Sequence, residues 1–270
     1  MKLAFSTLGC PGWRWEEIYA TAKDLGLDGI EIRGLEKEIY APKAKPFKPE
    51  NIDNTVATLD KLGLTIPMLT TGAFLFDEDN PQKAIDEARD YIDLAEKLKT
   101  PYIRVLGDRD GNPGPERNLD HVAELYQDIC DYAASRNVTP VIETNGVLAD
   151  TKVMAAFIKK VNRTNSGVLW DIHHPYRYFG EAPETTISNL DGHIKYLHIK
   201  DSVMRDGQVK YRMLGYGDVP VLDCLKELDK KGFDGFVSLE WVKRWYPDLE
   251  EPGVVFSHYV TYMNYLIRQL

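Results

Sequence analysis

Residues 167–175 read GVLWDIHHP, an apolar run of Val168, Leu169 and Trp170 followed by Asp171, His173 and His174 before Pro175 ends it. A short run of large and β-branched side chains between Gly and Pro reads as a buried strand, and the polar residues all collect at its C-terminal end. Seven more such runs occur: KLAFSTLG from Lys2, GIEIRG from Gly29, TIPMLTTG from Thr65, YIRVLG from Tyr102, TPVIETNG from Thr139, IKYLHIKD from Ile194 and GFVSLEW from Gly235. Between them lie segments whose apolar residues return every three or four positions. Examples are WEEIYATAKDLG from Trp15, AIDEARDYIDLAEKL from Ala84, LDHVAELYQDICDYAASR from Leu119 and VLDCLKELDKKG from Val221. Strand alternating with helix implies parallel strands joined by crossover helices. Eight units at this spacing favour a closed (β/α)8 barrel over an open doubly wound sheet. The expectation is one barrel domain over residues 1–270. Two irregular stretches, LEKEIYAPKAKPFKPE from Leu35 and GDRDGNPGPERN from Gly107, follow strands and are expected as loops on the barrel's C-terminal face.

Composition narrows the function classes. The chain carries 33 Lys and Arg against 42 Asp and Glu, a formal charge of -9. A polyanion would meet repulsion overall, so nucleic acid is not expected as a partner. Three scattered cysteines, Cys10, Cys130 and Cys224, suggest neither a disulfide framework nor a metal knuckle. No apolar run reaches the ~18 residues that span a bilayer, and no leader pattern opens the chain. A cytoplasmic protein without membrane contact is expected, self-association being an open alternative.

In a barrel of this kind the site assembles at the C-terminal ends of the strands. Four consecutive runs end in Glu143 (VIETN), Asp171 (LWDIHH), His198 (YLHIKD) and Glu240 (SLEW). Any one such carboxylate could as well accept backbone hydrogen bonds or pair with Lys or Arg. Four together, converging over one mouth, repel strongly unless a cation sits among them. Three carboxylates and an imidazole make an oxygen-rich set for one divalent ion, manganese first, with magnesium, cobalt or zinc as alternatives.

These residues resemble the sugar phosphate isomerase/epimerase family of xylose isomerase-like TIM barrels, which includes ketose 3-epimerases, inosose-processing enzymes and, more distantly, endonuclease IV. The resemblance rests on the FSTLGCPGW start, the Glu of VIET, the DxxH of WDIHH, HIKD and LEW, and runs along nearly the whole chain. It implies that Glu143, Asp171, His198 and Glu240 hold the metal and that His174 touches substrate. His173 fits the family pattern less well and would orient Asp171 or bond to backbone. The implied chemistry is proton transfer beside the carbonyl of a sugar, keto-sugar or polyol through an enediolate, with Glu143 and Glu240 as base and acid. A dehydratase or lyase on the same site is the alternative. An endonuclease IV-like repair nuclease, needing about three clustered metals and a cationic groove, ranks lower, as does a non-catalytic sugar-binding barrel.

Further substrate contacts are expected from Lys200 and Asn145, two residues beyond His198 and Glu143 on the same faces. Arg205 is expected near the position where ketose epimerases place a substrate-binding arginine. Trp13 and Trp241, with Trp245 and Tyr246, would offer ring faces to a sugar. Trp170, next to an inward Asp171, is expected in the outer core. Cys10 reads as a packed thiol, Glu31 and Arg104 as a buried ion pair, and LGYGDVP near Gly215 as a turn whose Asp218 caps a helix begun by Pro220.

Overall fold

The computed structural model describes residues 1–77, 79–115 and 117–270. In chain order the strands are β1 (Lys2–Ser6), β2 (Gly29–Glu31), β3 (Met68–Phe74), β4 (Tyr102–Leu106), β5 (Thr139–Glu143), β6 (Gly167–Asp171), β7 (Ile194–Ile199), β8 (Asp201–Arg205), β9 (Gln208–Arg212) and β10 (Phe236–Leu239). The helices are α1 (Trp15–Asp24), α2 (Ile52–Leu62), α3 (Pro81–Leu98), α4 (Leu119–Ala133), α5 (Thr151–Val161), α6 (His173–Phe179), α7 (Pro183–Leu190), α8 (Val221–Lys230) and α9 (Pro252–Ile267).

Eight strands form one parallel sheet in the order β2-β1-β10-β7-β6-β5-β4-β3. Its two ends meet: the Ile30 and Ile32 amides donate to the carbonyls of Thr65 and Met68 at 2.9 and 3.1 Å, and the Thr70 amide donates to Ile32 at 2.9 Å. The barrel is therefore closed, which removes the exposed edges an open sheet would present. Each of the eight apolar runs supplies one of its strands.

Side chains alternate in and out along a strand, and that period builds the site. Met68, Val141, Leu169 and Tyr196 form a small cluster of their own, with Tyr102 and Phe236 packed on it. This cluster fills the barrel. Two residues further along the same strands stand Glu143, Asp171, His198 and Arg104, and four beyond Phe236 stands Glu240. Asp171 and His198 are direct register partners, as are Ser238 and His198. The intervening Ile142, Trp170, Leu197 and Leu239 point the other way, into the core shared with the helices.

Loops on the site face are tied down at the helix starts. Asn80 accepts from the Lys83 amide at 3.3 Å ahead of Pro81, Asn118 from Asp120 at 3.1 Å, and Asp150 from Lys152 at 3.0 Å. Each cap satisfies amides that have no partner within the helix.

The antiparallel hairpin β8–β9, with Arg205 opposite Gln208, is not among the elements expected from the sequence. Its turn is Asp206-Gly207, at φ of 53° and 72°. Both values fall in the left-handed region that a two-residue hairpin of the type I′ kind requires. The segment SVMR-DG-QVKYR thus carried a hairpin signal in plain view.

The glycine stretch after the hairpin also differs from expectation. The amides of Gly215, Gly217 and Val219 donate to the Asp201 carboxylate at 2.9, 2.9 and 3.2 Å. Asp218 pairs with Arg177 rather than capping, and α8 begins after Pro220 without a side-chain cap. The loop encircles an internal carboxylate.

Candidate active site

Glu143 ends β5, Asp171 ends β6, His198 lies in β7 and Glu240 directly follows β10. One ligand-type atom from each lies within 4.8 Å of the other three, and all four side chains are buried. The sequence expectation that these four converge is met in the geometry.

Each member is oriented by a neighbour. His198 Nε2 lies 3.0 Å from Glu31 Oε2, so that nitrogen donates and the ring is held. Its Nδ1 has no hydrogen-bond partner among the described residues and faces Glu240 Oε1 at 3.5 Å and Glu143 Oε1 at 3.9 Å. Glu143 turns its other oxygen to Arg104 Nη1 at 3.3 Å, and Glu240 turns its other oxygen to Lys200 Nζ. Lys200 also pairs with Asp171 Oδ2, while Asp171 Oδ1 accepts from the His173 amide at 2.9 Å. Each glutamate thus spends one oxygen on a neighbouring cation and leaves the other facing His198 Nδ1.

These contacts set the charge states. Burial alone would raise Glu143, but the charges of Arg104 and His198 overcome it and hold the carboxyl below its ordinary range. Burial likewise opposes ionisation of Glu240, and Lys200 with His198 brings it down to about 2. Burial works against positive charge on His198 and Lys200, yet Glu31 and Glu240 hold the first, and Asp171 and Glu240 the second, well above their usual values. His173 is the opposite case: burial and the nearby His174 and Lys200 push it well below the usual histidine range. It is neutral.

A cleft of about 900 Å³ opens above the cluster. Its lining includes Glu143, Glu240, His174, Lys200 and Asn145, all named from sequence as catalytic or substrate-contact residues. Asp171 and His198 lie buried beneath. The His174 ring is set by its Nδ1, 3.0 Å from the Thr144 carbonyl. His173 instead bonds Ser202 Oγ at 2.9 Å through Nε2, clear of the cleft. Asn145 Oδ1 is buried without a partner among the described residues.

Three expected contacts are not brought to the cleft. Arg205 is exposed on the hairpin, at the far end from the barrel. Trp13 packs edge-on against Phe256, with ring centroids 5.6 Å apart. Trp241 is 1% exposed and donates to the Glu250 carbonyl at 3.1 Å. Its position follows from alternation: next to an inward Glu240, it must face the helices, as Trp170 does beside Asp171. Glu31 and Arg104 are buried as expected but do not serve each other; one holds His198 and the other Glu143. Burial raises the Cys10 thiol far above its ordinary value, as suits a packed group.

Residues not named as substrate contacts also line the cleft. Arg33 lies two beyond Glu31, on the same face, and that spacing could have found it. Tyr211 arrives on the unforeseen hairpin, its ring 5.2 Å from Tyr246. Trp245 and Tyr246 do line the cleft, as their place after Glu240 suggested.

A family described as "Xylose isomerase-like TIM barrel" matches residues 19–255. Fructoselysine 3-epimerase of Shigella flexneri is 23% identical over 253 residues, covering 90% of each chain. Among solved structures, the IOLI protein with a bound zinc atom superposes with a TM-score of 0.82 at 19% identity, over 100% of this chain and 99% of that one. The probable 3-DHS dehydratase AsbF of Bacillus anthracis gives 0.80 at 18% identity, over 98% and 99%. The closed eight-stranded barrel, the cluster at its C-terminal mouth and the match over most of the chain lead to one conclusion: the chain belongs to the xylose isomerase-like TIM barrel family.

Proposed function

We propose that this chain is a divalent-metal-dependent isomerase or epimerase of a sugar, keto-sugar or polyol, acting by proton transfer beside a carbonyl. The observation that carries the reading is the four-residue cluster with the unsatisfied His198 Nδ1 at its centre. A buried imidazole nitrogen without a hydrogen-bond partner among the described residues, facing two carboxylate oxygens with its ring fixed from behind by Glu31, offers a place that a cation can take in exchange for the proton on that nitrogen. Glu143, Asp171, His198 and Glu240 would hold that ion. Their nitrogen and oxygen donors suit manganese first, and also magnesium, cobalt or zinc; the IOLI protein carries zinc. When bound, the ion would act as a Lewis acid that polarises the substrate carbonyl and its neighbouring hydroxyl.

The protein's own groups do the rest. Glu143 and Glu240 are ionised at neutral pH, so either can begin as the base that takes the proton next to the carbonyl. The other, protonated from a substrate hydroxyl or from solvent, returns a proton. Return to the opposite face inverts the carbon, and return to the adjacent carbon isomerises. His174, Lys200 and Asn145 bind and orient substrate oxygens, while Tyr211, Trp245 and Tyr246 cover the apolar side of the sugar. The curated relative named as a 3-epimerase supports this reading. A dehydratase on the same cluster is the second reading, supported by the fold shared with the probable 3-DHS dehydratase. The barrel would act as one unit of 270 residues. Its three cysteines, all free and buried, support a reducing cytoplasm.

Elemental analysis of the purified protein should find about one divalent ion per chain, and of His198→Ala far less. Equal occupancy in both would remove His198 from the site. Supplied with ketoses and manganese, the wild type should convert a 3-epimer pair; conversion to an unsaturated acid would favour the dehydratase.

A further inference from the structure

The acid-rich side of the cleft is internally balanced, and the opposite side is not. Inward alternation along β2 runs through Gly29 and Glu31 to Arg33, and along β4 from Tyr102 to Arg104. Both guanidinia line the cleft. Arg104 spends Nη1 on Glu143, and its Nε is buried without a hydrogen-bond partner among the described residues. Arg33 forms no ion pair among the described residues. Its one side-chain hydrogen bond there is from Nη1 to the Ile39 carbonyl, at a long 3.3 Å. The Trp245 ring lies 5.9 Å from its guanidinium. Among the groups that favour its charge, Tyr91 comes first and then Glu87, whose Oε1 already accepts from the Gly72 amide at 2.5 Å. Burial, and then the charge of Arg104, hold Arg33 below its ordinary range. Two like charges lining one partly desolvated pocket are costly unless an anion arrives.

Space for that anion is present. Gly72 lines the cleft without a side chain; a Cβ there would come within 3.1 Å of Glu87 Oε1 and 3.4 Å of Arg33 Nη2, so Glu87 flanks the guanidinium on the Gly72 side and a ligand must reach it from the open cleft. Lys83 and Arg109 share the lining with Asp77 and Asp110, and Arg104 already pairs with Glu143, which leaves Arg33 as a half-buried guanidinium without an ion pair among the described residues. We infer that the β2–β4 wall binds an oxyanion carried by the substrate, a carboxylate or a phosphate, between the guanidinia of Arg33 and Arg104. The fork of a guanidinium meets such a group through paired N–H donors, which a neutral hydroxyl cannot match. The inference rests on the sugar-binding reading of this cleft and specifies its substrate class: a sugar that carries an acidic group as well as the reacting carbonyl. The acidic exterior, at net charge -9, leaves this wall as a local attractor.

Calorimetric binding of D-fructose, D-fructose 6-phosphate and D-fructuronate to the protein as purified tests this without requiring turnover. At least one anion should bind about tenfold or more tighter than D-fructose. Preference for fructose 6-phosphate identifies a phosphate site, and for fructuronate a carboxylate site. In Arg33→Gln the ratio of anion to neutral affinity should fall toward one, and in Arg33→Lys it should be partly kept, with melting temperatures showing both variants folded. Anions binding no tighter than fructose to the wild type, or a ratio unchanged in folded Arg33→Gln, would overturn the inference. An anion preference without conversion of any sugar would leave this site standing and remove the proposed reaction instead.

Discussion

The two walls of the cleft use the same device to different ends. On the side of β5, β6, β7 and β10, every charged group is answered within the protein: Arg104 for Glu143, Lys200 for Asp171 and Glu240, Glu31 for His198. On the side of β2 and β4, Arg33 has no ion pair among the described residues, only a long contact to the Ile39 carbonyl and a ring beneath it. An answered charge is fixed in place, which suits groups that must hold an ion or pass a proton with little reorganisation. An unanswered one is held in readiness for a ligand. On the proposed function, the difference separates a wall suited to chemistry from a wall suited to recognition.

The largest effect should come from the chemical wall. Glu143→Gln and Glu240→Gln keep one oxygen donor and remove the exchangeable carboxylate. Each should lower turnover by about a hundredfold or more at matched metal occupancy, with folding retained. In the wild type, solvent deuterium should enter the carbon next to the carbonyl during turnover. Full activity in both variants would remove proton transfer by these residues and leave hydride shift as the mechanism.

Next comes the support behind the imidazole. Glu31→Gln leaves every proposed metal ligand intact but weakens the hold on His198 Nε2. Metal affinity should drop by about ten- to a hundredfold. Competition with a chromogenic chelator measures this directly, and an unchanged affinity would reduce Glu31 to packing.

The answered wall also predicts a pH signature. Glu240 is brought from an ordinary 4.5 to about 2 by its partners. A carboxyl depressed in the folded state contributes stability that is complete above the unfolded value and lost as pH falls through the folded one. The melting temperature of metal-free protein should therefore decline between pH 4.5 and pH 2, and less steeply in Glu240→Gln. Parallel curves for the two would show that Glu240 gains nothing from Lys200 and His198.

The smallest effect sharpens the boundary of the recognition wall. Arg205→Ala on the exposed hairpin should leave turnover and binding within about twofold of wild type, as surface changes away from a site do. A larger loss would mean that the hairpin tip closes over the substrate.

How much of this was legible in the sequence depended on which rule carried it. All eight barrel strands were readable because each is buried on both faces and so appears as an uninterrupted apolar run. Asp171 and Trp170 were separated correctly by alternation. The same rule, applied one strand on, turns Trp241 away from Glu240, and carried from Glu31 to Arg33 it reaches the recognition wall. Glu31 and Arg104 were recognisable as buried charges, but their partners are set by register across the barrel mouth, which no local spacing encodes. The hairpin was missed although Asp206-Gly207 announces it, because its strands are short and half-exposed and fall outside the barrel's repeat.

The carboxylate of Asp201 has a consequence for how such a protein changes over generations. By gathering the amides of Gly215, Gly217 and Val219, it ties the two feet of the excursion that carries β8 and β9 to a fixed point on the barrel rim. Whatever lies between those feet can lengthen, shorten or be exchanged while the ligand-bearing strands keep their places. Tyr211 rides on that exchangeable piece. A descendant could acquire a new appetite by rewriting a dozen or so residues of ribbon, with the machinery underneath inherited untouched.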